Sequence, residues 1–168
     1  MEGIIIYQSK YGATKKYADW ISEETGFKCQ EVKKTDIGEI IKYDTIILGG
    51  GIYASGIAGL SFLRKYMEQL QGKKILIFCD GASPYNEEMF QKIIEHNMKD
   101  RLEGIPCFYF RGAWDMEGMS FIDYNLCKML IKSVGIKEEE MLTEAENCKY
   151  DWTDKKYIAP VLKEVFSK

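Results

Sequence analysis

The sequence predicts an α/β fold built on a five-stranded, doubly wound parallel sheet with helices on both faces. Two observations support this fold class. Short β-branched, apolar runs such as residues 3–8 recur along the chain, and amphipathic helical patterns separate them. Strands that alternate with helices form βαβ units with right-handed crossovers, and a doubly wound sheet is the simplest arrangement of five such strands.

Each element has its own local signal. Residues 3–8 form an apolar run that stops at residues 9–12, as expected of a strand buried on both faces. The amphipathic stretch that follows predicts a helix ending at Gly26. The same alternation predicts strands at residues 27–32, 45–48, 74–79 and 105–110 and helices at residues 60–70, 87–102 and 153–166. Pro160 lies inside the last helix and is expected to bend it or to remove one hydrogen bond.

Residues 112–152 form an extra segment between the fifth strand and the last helix. Apolar residues at helical spacing within it predict an additional helix, and these are Phe121, Ile122, Leu126, Met129, Leu130 and Val134. Residues 137–147 are polar and are expected to form a loop. The apolar face is expected either to pack on the protein itself or, with Trp114 and Met119, to shape a pocket for a flat apolar substrate.

The composition suits one domain of 168 residues. Hydrophobic residues make up 46% of the chain, which is enough to fill one core. The 23 basic and 26 acidic residues give a net charge of −3 and include no long block of like charge. This pattern argues against nucleic acid as a partner and against a polybasic membrane patch. We therefore expect residues 1–168 to form a single domain.

The cysteines and the N-terminus predict a soluble, cytoplasmic protein. The five cysteines lie far apart, form no CxxC pair and are odd in number, so reduced thiols are expected. The N-terminus lacks the pattern of a secretory signal, and no window reaches the roughly 18 apolar residues of a transmembrane helix. His96 is the only histidine, and without a Cys/His cluster we expect no metal site and no catalytic constellation of side chains.

The strongest functional signal is the loop between the first strand and the first helix. A helix N-terminus carries unpaired backbone N–H groups and a positive dipole, so it attracts an anion. Gly12 allows a positive φ and a close backbone approach, and the hydroxyl groups of Ser9 and Thr14 can donate to phosphate oxygens. We assign this loop to phosphate binding, with the residues Ser9, Lys10, Tyr11, Gly12, Ala13 and Thr14.

Two common nucleotide motifs are absent from this loop. It has neither the G-x-G-x-x-G fingerprint of dinucleotide-binding domains nor the G-x-x-x-x-G-K-[ST] pattern of the P-loop. A monophosphate is therefore the better prediction. The alternative is purely structural, with Ser9 and Thr14 capping the helix and Gly12 completing a turn.

The third predicted strand ends in three consecutive glycines and an aromatic residue. Glycines at this position let a flat ligand approach the backbone, and Tyr53 could stack on such a ligand. In a doubly wound sheet the first and third strands flank the switch point, so this loop should face the phosphate loop. We assign Gly50, Gly51, Ile52 and Tyr53 to the cofactor site, although Tyr53 could instead be an ordinary half-buried aromatic residue.

The fourth predicted strand ends in a turn-forming stretch that should reach the same crevice from the other side. Its backbone amides could bind the polar edge of a flat ring, and Tyr85 could cover the outer face of that ring. The assigned residues are Asp80, Gly81, Ala82, Ser83 and Tyr85. Asp-Gly and Ser-Pro pairs are also common in ordinary turns, so a purely structural role stays open.

The pattern Ser9-x-x-Gly12-x-Thr14 after an apolar first strand resembles the phosphate loop of the flavodoxins. This resemblance implies a sheet order of 2-1-3-4-5 and an FMN cofactor whose phosphate lies in that loop. Flavodoxins usually carry a further hydroxyl residue where this chain has Tyr11, so only a backbone role is carried over to Tyr11. The flavin ring would lie between the loops after the third and fourth strands.

Over nearly the whole chain, the order of features is similar to the flavodoxin-domain family that includes the bacterial, quinone-linked protoporphyrinogen oxidases. The shared features are Tyr43-Asp44, Gly49-x-x-Ile52, the aromatic-rich extra segment and Asp151-Trp152. The resemblance implies electron transfer by FMN, with a redox protein or a quinone as partner. A porphyrinogen is a candidate substrate, a peripheral membrane contact stays open, and a cofactor-free binding module is the third alternative.

Overall fold

The computed structural model describes residues 2–115, 118, 120–122, 125 and 149–167. Its strands are β1 (Gly3–Gln8), β2 (Lys28–Glu31), β3 (Thr45–Tyr53), β4 (Gly56–Ile57), β5 (Lys74–Gly81), β6 (Cys107–Arg111), β7 (Ala113–Asp115) and β8 (Lys149–Asp151). Its α-helices are α1 (Ala13–Thr25), α2 (Ile37–Ile40), α3 (Leu60–Tyr66), α4 (Glu87–Asn97) and α5 (Ala159–Phe166). Short 3-10 helices span Val32–Lys34 and Lys155–Ile158.

The central sheet has the order β2-β1-β3-β5-β6, and these five strands are parallel. Because β4 is a short antiparallel strand that pairs only with the end of β3, β5 and β6 are the fourth and fifth strands of the predicted sheet. The predicted fold class and strand order are therefore confirmed. The first helix also ends as predicted, because Gly26 adopts φ 73° and its N–H donates to the carbonyl of Ser22.

The core lies in two layers, one on each face of the sheet. On one face, α1 and α5 cover the sheet, and buried residues there include Ile5, Tyr17, Phe78, Phe110 and Val161. On the other face, α3 and α4 cover it, and buried residues there include Ile4, Leu48, Leu63, Ile77 and Ile93. The strands are apolar on both faces because both faces are covered by helices.

Several predicted boundaries were wrong, each for a local reason. Strand β3 continues through the three glycines to Tyr53, because the glycines pair with β1 and β5. The helices predicted at 60–70 and 87–102 end earlier, at Tyr66 and Asn97. Pro160 does not bend the last helix but lies in its first turn. Proline is favoured there, since the missing N–H would have no partner within the helix.

The extra segment begins and ends in a two-stranded antiparallel sheet that the sequence did not predict. Strands β7 and β8 pair Ala113 with Asp151 and Asp115 with Lys149. Phe121 and Ile122 of the predicted apolar stripe are exposed, at 83% and 70%. The rest of the stripe and the predicted loop at 137–147 lie outside the described residues, as does Met119.

Candidate cofactor site

Three loops meet at the carboxyl edge of the sheet. The register places Gln8 of β1 beside Gly50 of β3, and Gly51 of β3 beside Asp80 of β5. The residues that follow these strand ends therefore share one edge, as the sequence predicted for the first, third and fourth strands. Ligands of doubly wound sheets bind outside this edge.

The loop after β1 presents an uncapped helix N-terminus. The N-cap residue, Gly12, adopts φ 99°, and in the described part of the chain the helix has no side-chain cap. The first helical hydrogen bond is donated by Lys16 to the carbonyl of Gly12, so the preceding amides lie before the helical ladder begins. Ser9 Oγ accepts a hydrogen bond of 3.1 Å from Gly12 N and so closes the loop rather than capping the helix. A phosphate monoester fits this set of donors.

Thr14 does not point its hydroxyl proton at the loop. The residue is buried, and its Oγ1 donates a 2.6 Å hydrogen bond to Asp80 Oδ1. This hydroxyl was expected to donate to a phosphate, whereas in the structure it donates to the buried Asp80 carboxylate. Burial raises the pKa of Asp80 to about 6, and the hydrogen bond from Thr14 opposes this rise.

Tyr53 lies next to the phosphate loop. Its ring centroid is 6.2 Å from that of Tyr11, and Lys10 Nζ lies 5.5 Å from the Tyr11 centroid and 5.9 Å from the Tyr53 centroid. A crevice of about 540 Å³ opens beside them, within the range of small-molecule pockets. It is lined by Tyr7, Gln8, Ser9, Lys10, Glu31, Val32, Lys33 and Tyr53.

The three glycines of β3 serve different purposes. A Cβ atom on Gly49 would collide with the ring of Phe78, and one on Gly50 would collide with the carbonyl oxygen of Ala58. At these two positions the chain itself fills the space that the sequence analysis reserved for a flat ligand. A Cβ atom on Gly51 would instead come within 2.8 Å of Tyr53 Oη, so Gly51 is the glycine that faces the candidate site.

The hairpin that carries Tyr53 is held by a buried asparagine that the sequence analysis missed. Ala54 and Ser55 adopt positive φ values of 46° and 68° at the hairpin turn. Asn97 at the end of α4 accepts a 2.9 Å hydrogen bond from Ile57 N and donates a 2.6 Å bond to the Ser55 carbonyl. An asparagine near the end of a predicted helix looks like an ordinary helix-terminal residue, so the sequence held no signal for this contact.

The loop after β5 turns its carbonyl groups towards β6. Tyr109 Oη shares its one proton between the Ser83 carbonyl at 2.6 Å and the Gly81 carbonyl at 3.1 Å, and Arg111 Nε donates to the Ala82 carbonyl. The amides of Ala82 and Ser83 donate to no acceptor in the described part of the chain. These amides fit the predicted role of binding the polar edge of a ring.

Tyr85, at the end of the same loop, is 54% exposed. Its ring lies 5.8 Å from that of Phe90 and 6.0 Å from that of Tyr109, and its hydroxyl donates to Glu87. Tyr85 therefore packs against the start of α4 and against β6. The exposed face of its ring remains accessible to a ligand.

A cationic and aromatic cluster borders this loop on its other side. The Arg111 guanidinium lies 4.4 Å from the Trp152 ring centroid, and Tyr150 stacks on Trp152 at 5.1 Å. Trp152 N also donates to the carbonyl of Gly112, which fixes β8 beside the end of β6. From the sequence, Trp152 stood out only through the family resemblance, and its contact with Arg111 was not predicted.

A second cavity of about 470 Å³ lies outside this site and is lined by Lys33, Lys34, Thr35, Asp36, Ile37 and Tyr66. Among the described residues, no three His, Cys, Asp or Glu side chains are grouped as metal ligands. The helices within those residues are all too short or too polar to cross a membrane.

Comparison with known proteins identifies the family. The sequence matches the flavodoxin domain family over residues 4–140. No curated protein matches at a significant level. Similar solved structures include a flavodoxin from the domain Archaea, with 19% identity and a TM-score of 0.44 over 77% of this chain and 93% of the other.

Two further structures are similar to a comparable extent. A WrbA-like flavodoxin from Agrobacterium tumefaciens has 17% identity and a TM-score of 0.46 over 73% of this chain and 87% of its own. A flavoprotein from Lactobacillus acidophilus, solved in complex with FMN, has 16% identity and a TM-score of 0.45 over 66% and 91%. TM-scores below 0.5 carry no conclusion about this chain, whereas the family match covers most of it. The chain therefore belongs to the flavodoxin domain family, and FMN is the cofactor that this membership indicates.

Proposed function

We propose that this protein binds FMN at the carboxyl edge of the sheet and transfers electrons to and from a redox partner. The observation that carries the proposal is the uncapped N-terminus of α1 behind Gly12 at φ 99°. When bound, FMN would supply the one-electron and two-electron chemistry, and the protein would supply position and electrostatics.

The phosphate would be held by the loop of residues 9–14. Backbone amides at the start of α1 would bind its oxygens, and the positive end of the helix would stabilise its charge. Lys10 would add positive charge beside it. The contributing residues are Ser9, Lys10, Tyr11, Gly12, Ala13 and Thr14, with Tyr11 acting through its backbone.

The ring system would lie between the loops after β3 and β5. Tyr53 would stack on one face, and Gly51 and Ile52 would let the ring approach the backbone. The amides of Ala82 and Ser83 would donate to the polar edge of the ring, and Tyr85 would cover its outer face. Gly50, Asp80 and Gly81 would shape the floor of the site rather than touch the ring through side chains.

We further propose that residues 1–168 form one FMN-binding domain. The last described helix and the 3-10 helix before it support this, because Ile158, Val161 and Val165 are buried in the same core layer as Tyr17 of α1. The chain after the extra segment thus returns to the sheet that carries the site.

A matched pair of glycine variants tests the phosphate site. Gly12 and Gly72 both adopt positive φ, at 99° and 79°, and a Cβ atom on either would meet nothing within 4 Å. Alanine at either position should therefore cost a similar backbone strain of about 1–2 kcal/mol. FMN titrations followed by absorbance and fluorescence should show at least about a tenfold loss of affinity for Gly12→Ala, equivalent to about 1.4 kcal/mol, and no change for Gly72→Ala.

Two results would contradict the proposal. If the parent protein does not bind FMN, the chain is a cofactor-free binding module on the same fold. If Gly12→Ala and Gly72→Ala bind FMN equally well, the phosphate lies elsewhere.

The cluster of Arg111, Tyr150 and Trp152 favours a second candidate function, which is oxidation of a flat substrate such as a porphyrinogen with a quinone as acceptor. Stacked aromatic rings beside a guanidinium suit a planar molecule that carries carboxylates. Trp152→Ala should then abolish oxidation of protoporphyrinogen but leave FMN bound, whereas Trp20→Ala on α1 should leave both the oxidation and FMN binding unchanged. A parent protein without such turnover that exchanges electrons with a reductase is an electron carrier only.

A further inference from the structure

A buried carboxylate lies directly behind the phosphate loop. Asp80 at the end of β5 is 7% exposed, and it pairs with Gly51 on one side and Phe110 on the other. Its Oδ1 accepts a 2.6 Å hydrogen bond from the Thr14 hydroxyl. A Cβ atom on Gly112 would lie 3.0 Å from its Oδ2, so the chain leaves just enough room for this side chain. Nothing in the proposed function uses the charge of Asp80.

The groups around Asp80 do not neutralise it. Among the described residues, no Lys or Arg side chain shifts the pKa of its carboxyl group. The titratable neighbours are the phenols of Tyr17 on α1 and Tyr109 on β6 and the thiol of Cys79 on its own strand, and burial raises the pKa values of both phenols. The nearest guanidinium on β6, Arg111, lies over Trp152 and donates to Ala82 O. Among the described residues, the Thr14 hydroxyl is the one side-chain donor to the Asp80 carboxylate.

A phosphate at the start of α1 would create a conflict at Thr14. The hydroxyl of Thr14 has one proton, and both the carboxylate behind it and the phosphate in front of it are acceptors. Two anions on either side of one hydroxyl also repel each other in a buried setting. Adding one proton to Asp80 removes both problems, since the carboxylic acid becomes a donor.

We propose that Asp80 takes up a proton when the phosphate of FMN binds, and that this proton reverses the hydrogen bond between Thr14 and Asp80. In the free protein, Thr14 Oγ1–H donates to the Asp80 carboxylate. In the complex, the Asp80 carboxylic acid donates to Thr14 Oγ1, and the Thr14 hydroxyl donates to a phosphate oxygen. The proton comes from solvent, no covalent bond other than its O–H bond to Asp80 forms, and no electron moves. Asp80 is thus a positioning residue that acts through Thr14.

The inference rests on the proposed function, because the phosphate is that of FMN. It predicts that FMN affinity falls by about tenfold for each pH unit above the pKa of Asp80 in the free protein, since each complex takes up one proton. Riboflavin, which lacks the phosphate, should show no such dependence on pH.

Asp80→Asn provides the decisive variant. An asparagine amide has the shape of the carboxylic acid and can donate to Thr14 Oγ1 at every pH. The FMN affinity of this variant should therefore no longer fall tenfold for each pH unit. Asp19→Asn on the exposed side of α1 should keep the pH profile of the parent. The phosphate of free FMN also titrates near pH 6, and this contribution is common to all three proteins, so the difference between their pH profiles reports on Asp80.

A second measurement needs no variant. Calorimetric titrations in buffers of different ionisation enthalpy should show the parent protein taking up about one more proton with FMN than with riboflavin. In parent protein labelled with ¹³C-aspartate, the carboxyl resonance of Asp80 should titrate at higher pH with FMN bound than with riboflavin bound.

The outcomes separate this inference from the proposed function. The proposed link between FMN binding and protonation of Asp80 is overturned if FMN binds the parent and Asp80→Asn with the same pH profile. It is also overturned if the parent takes up no more protons with FMN than with riboflavin. Either result leaves the FMN site intact. If the parent binds no FMN at any pH, the proposed function fails and the coupling fails with it.

Discussion

The ring of Tyr53 lies over Gly51, with Tyr53 Oη 2.8 Å from the point where a Cβ atom on Gly51 would stand. The absence of a side chain at residue 51 therefore sets the position of the aromatic ring that borders the candidate site. Because Tyr53 is 36% exposed, its ring can move outwards if it is pushed.

Gly51→Ala should displace the Tyr53 ring without unfolding the protein. We expect FMN to bind about tenfold more weakly, equivalent to about 1.4 kcal/mol, and to lose part of the fluorescence quenching that a stacked ring provides. Gly56→Ala on the same hairpin is the matched control, because its Cβ atom would meet only the Tyr53 carbonyl at 3.4 Å. Unchanged affinity and fluorescence in Gly51→Ala would mean that Tyr53 does not stack on the flavin.

Asn97→Ala should loosen the hairpin that carries Tyr53. The substitution leaves the Ile57 amide without its acceptor and the Ser55 carbonyl without its donor, which should cost about 1–3 kcal/mol in the free energy of unfolding. Chemical denaturation would measure this cost. Gln91→Ala on the exposed face of α4 should change stability by no more than about 0.5 kcal/mol. Equal stability of the two variants would show that Asn97 does not anchor the hairpin.

Asp80 should make the stability of the free protein fall as pH rises. Its pKa is about 6 in the folded state against 3.8 for the ordinary group. The folded state therefore binds this proton more tightly than the unfolded state does. The resulting contribution to the free energy of unfolding is complete below pH 3.8 and is lost as pH rises through about 6. The difference in unfolding free energy between Asp80→Asn and the parent should grow across this range, by an amount on the order of 3 kcal/mol, and then stay level.

Asp154→Asn is the control of opposite sign for that experiment. The amide of Lys156 donates to Asp154 and lowers the pKa of its carboxyl group. The parent should therefore be more stable than this variant near neutral pH, and the difference should shrink as pH falls through the ordinary carboxyl range. Parallel curves for Asp80→Asn and Asp154→Asn would contradict the assignment of the pH dependence to Asp80.

Lys74→Met should destabilise the last helix. Lys74 Nζ donates to the carbonyl of Glu164 and, at 3.2 Å, to that of Ser167, so it places a positive charge at the C-terminus of α5. Its loss should cost about 1–2 kcal/mol, measured by thermal or chemical unfolding. Lys99→Met, at an exposed position, should be neutral, and equal melting temperatures for the two variants would argue against the cap.

The sequence predicted the sheet and its edge because their signals are local. An apolar β-branched run followed by glycine marks β1, β3 and β5, and the carboxyl ends of adjacent parallel strands must meet. The sequence could not show what fills the space above a glycine, and so it assigned Gly50 to a ligand when the Ala58 carbonyl occupies that space. It also could not show side-chain pairs that form only after folding, such as Thr14 with Asp80, 66 positions apart.

The pairing of β7 with β8 holds the two ends of the extra segment next to each other. Asp115 and Lys149 lie opposite each other, and their side chains form an ion pair of 2.7 Å. The chain therefore leaves the described fold and returns to it at neighbouring positions. The positions of these two strand ends relative to the sheet, α1 and α5 therefore do not depend on the length of chain that joins them. A longer or shorter connection between residues 115 and 149 can therefore be joined to the same two strand ends. Ser120 is the described residue of this connection that reaches the cofactor edge, because its amide donates to Tyr11 Oη.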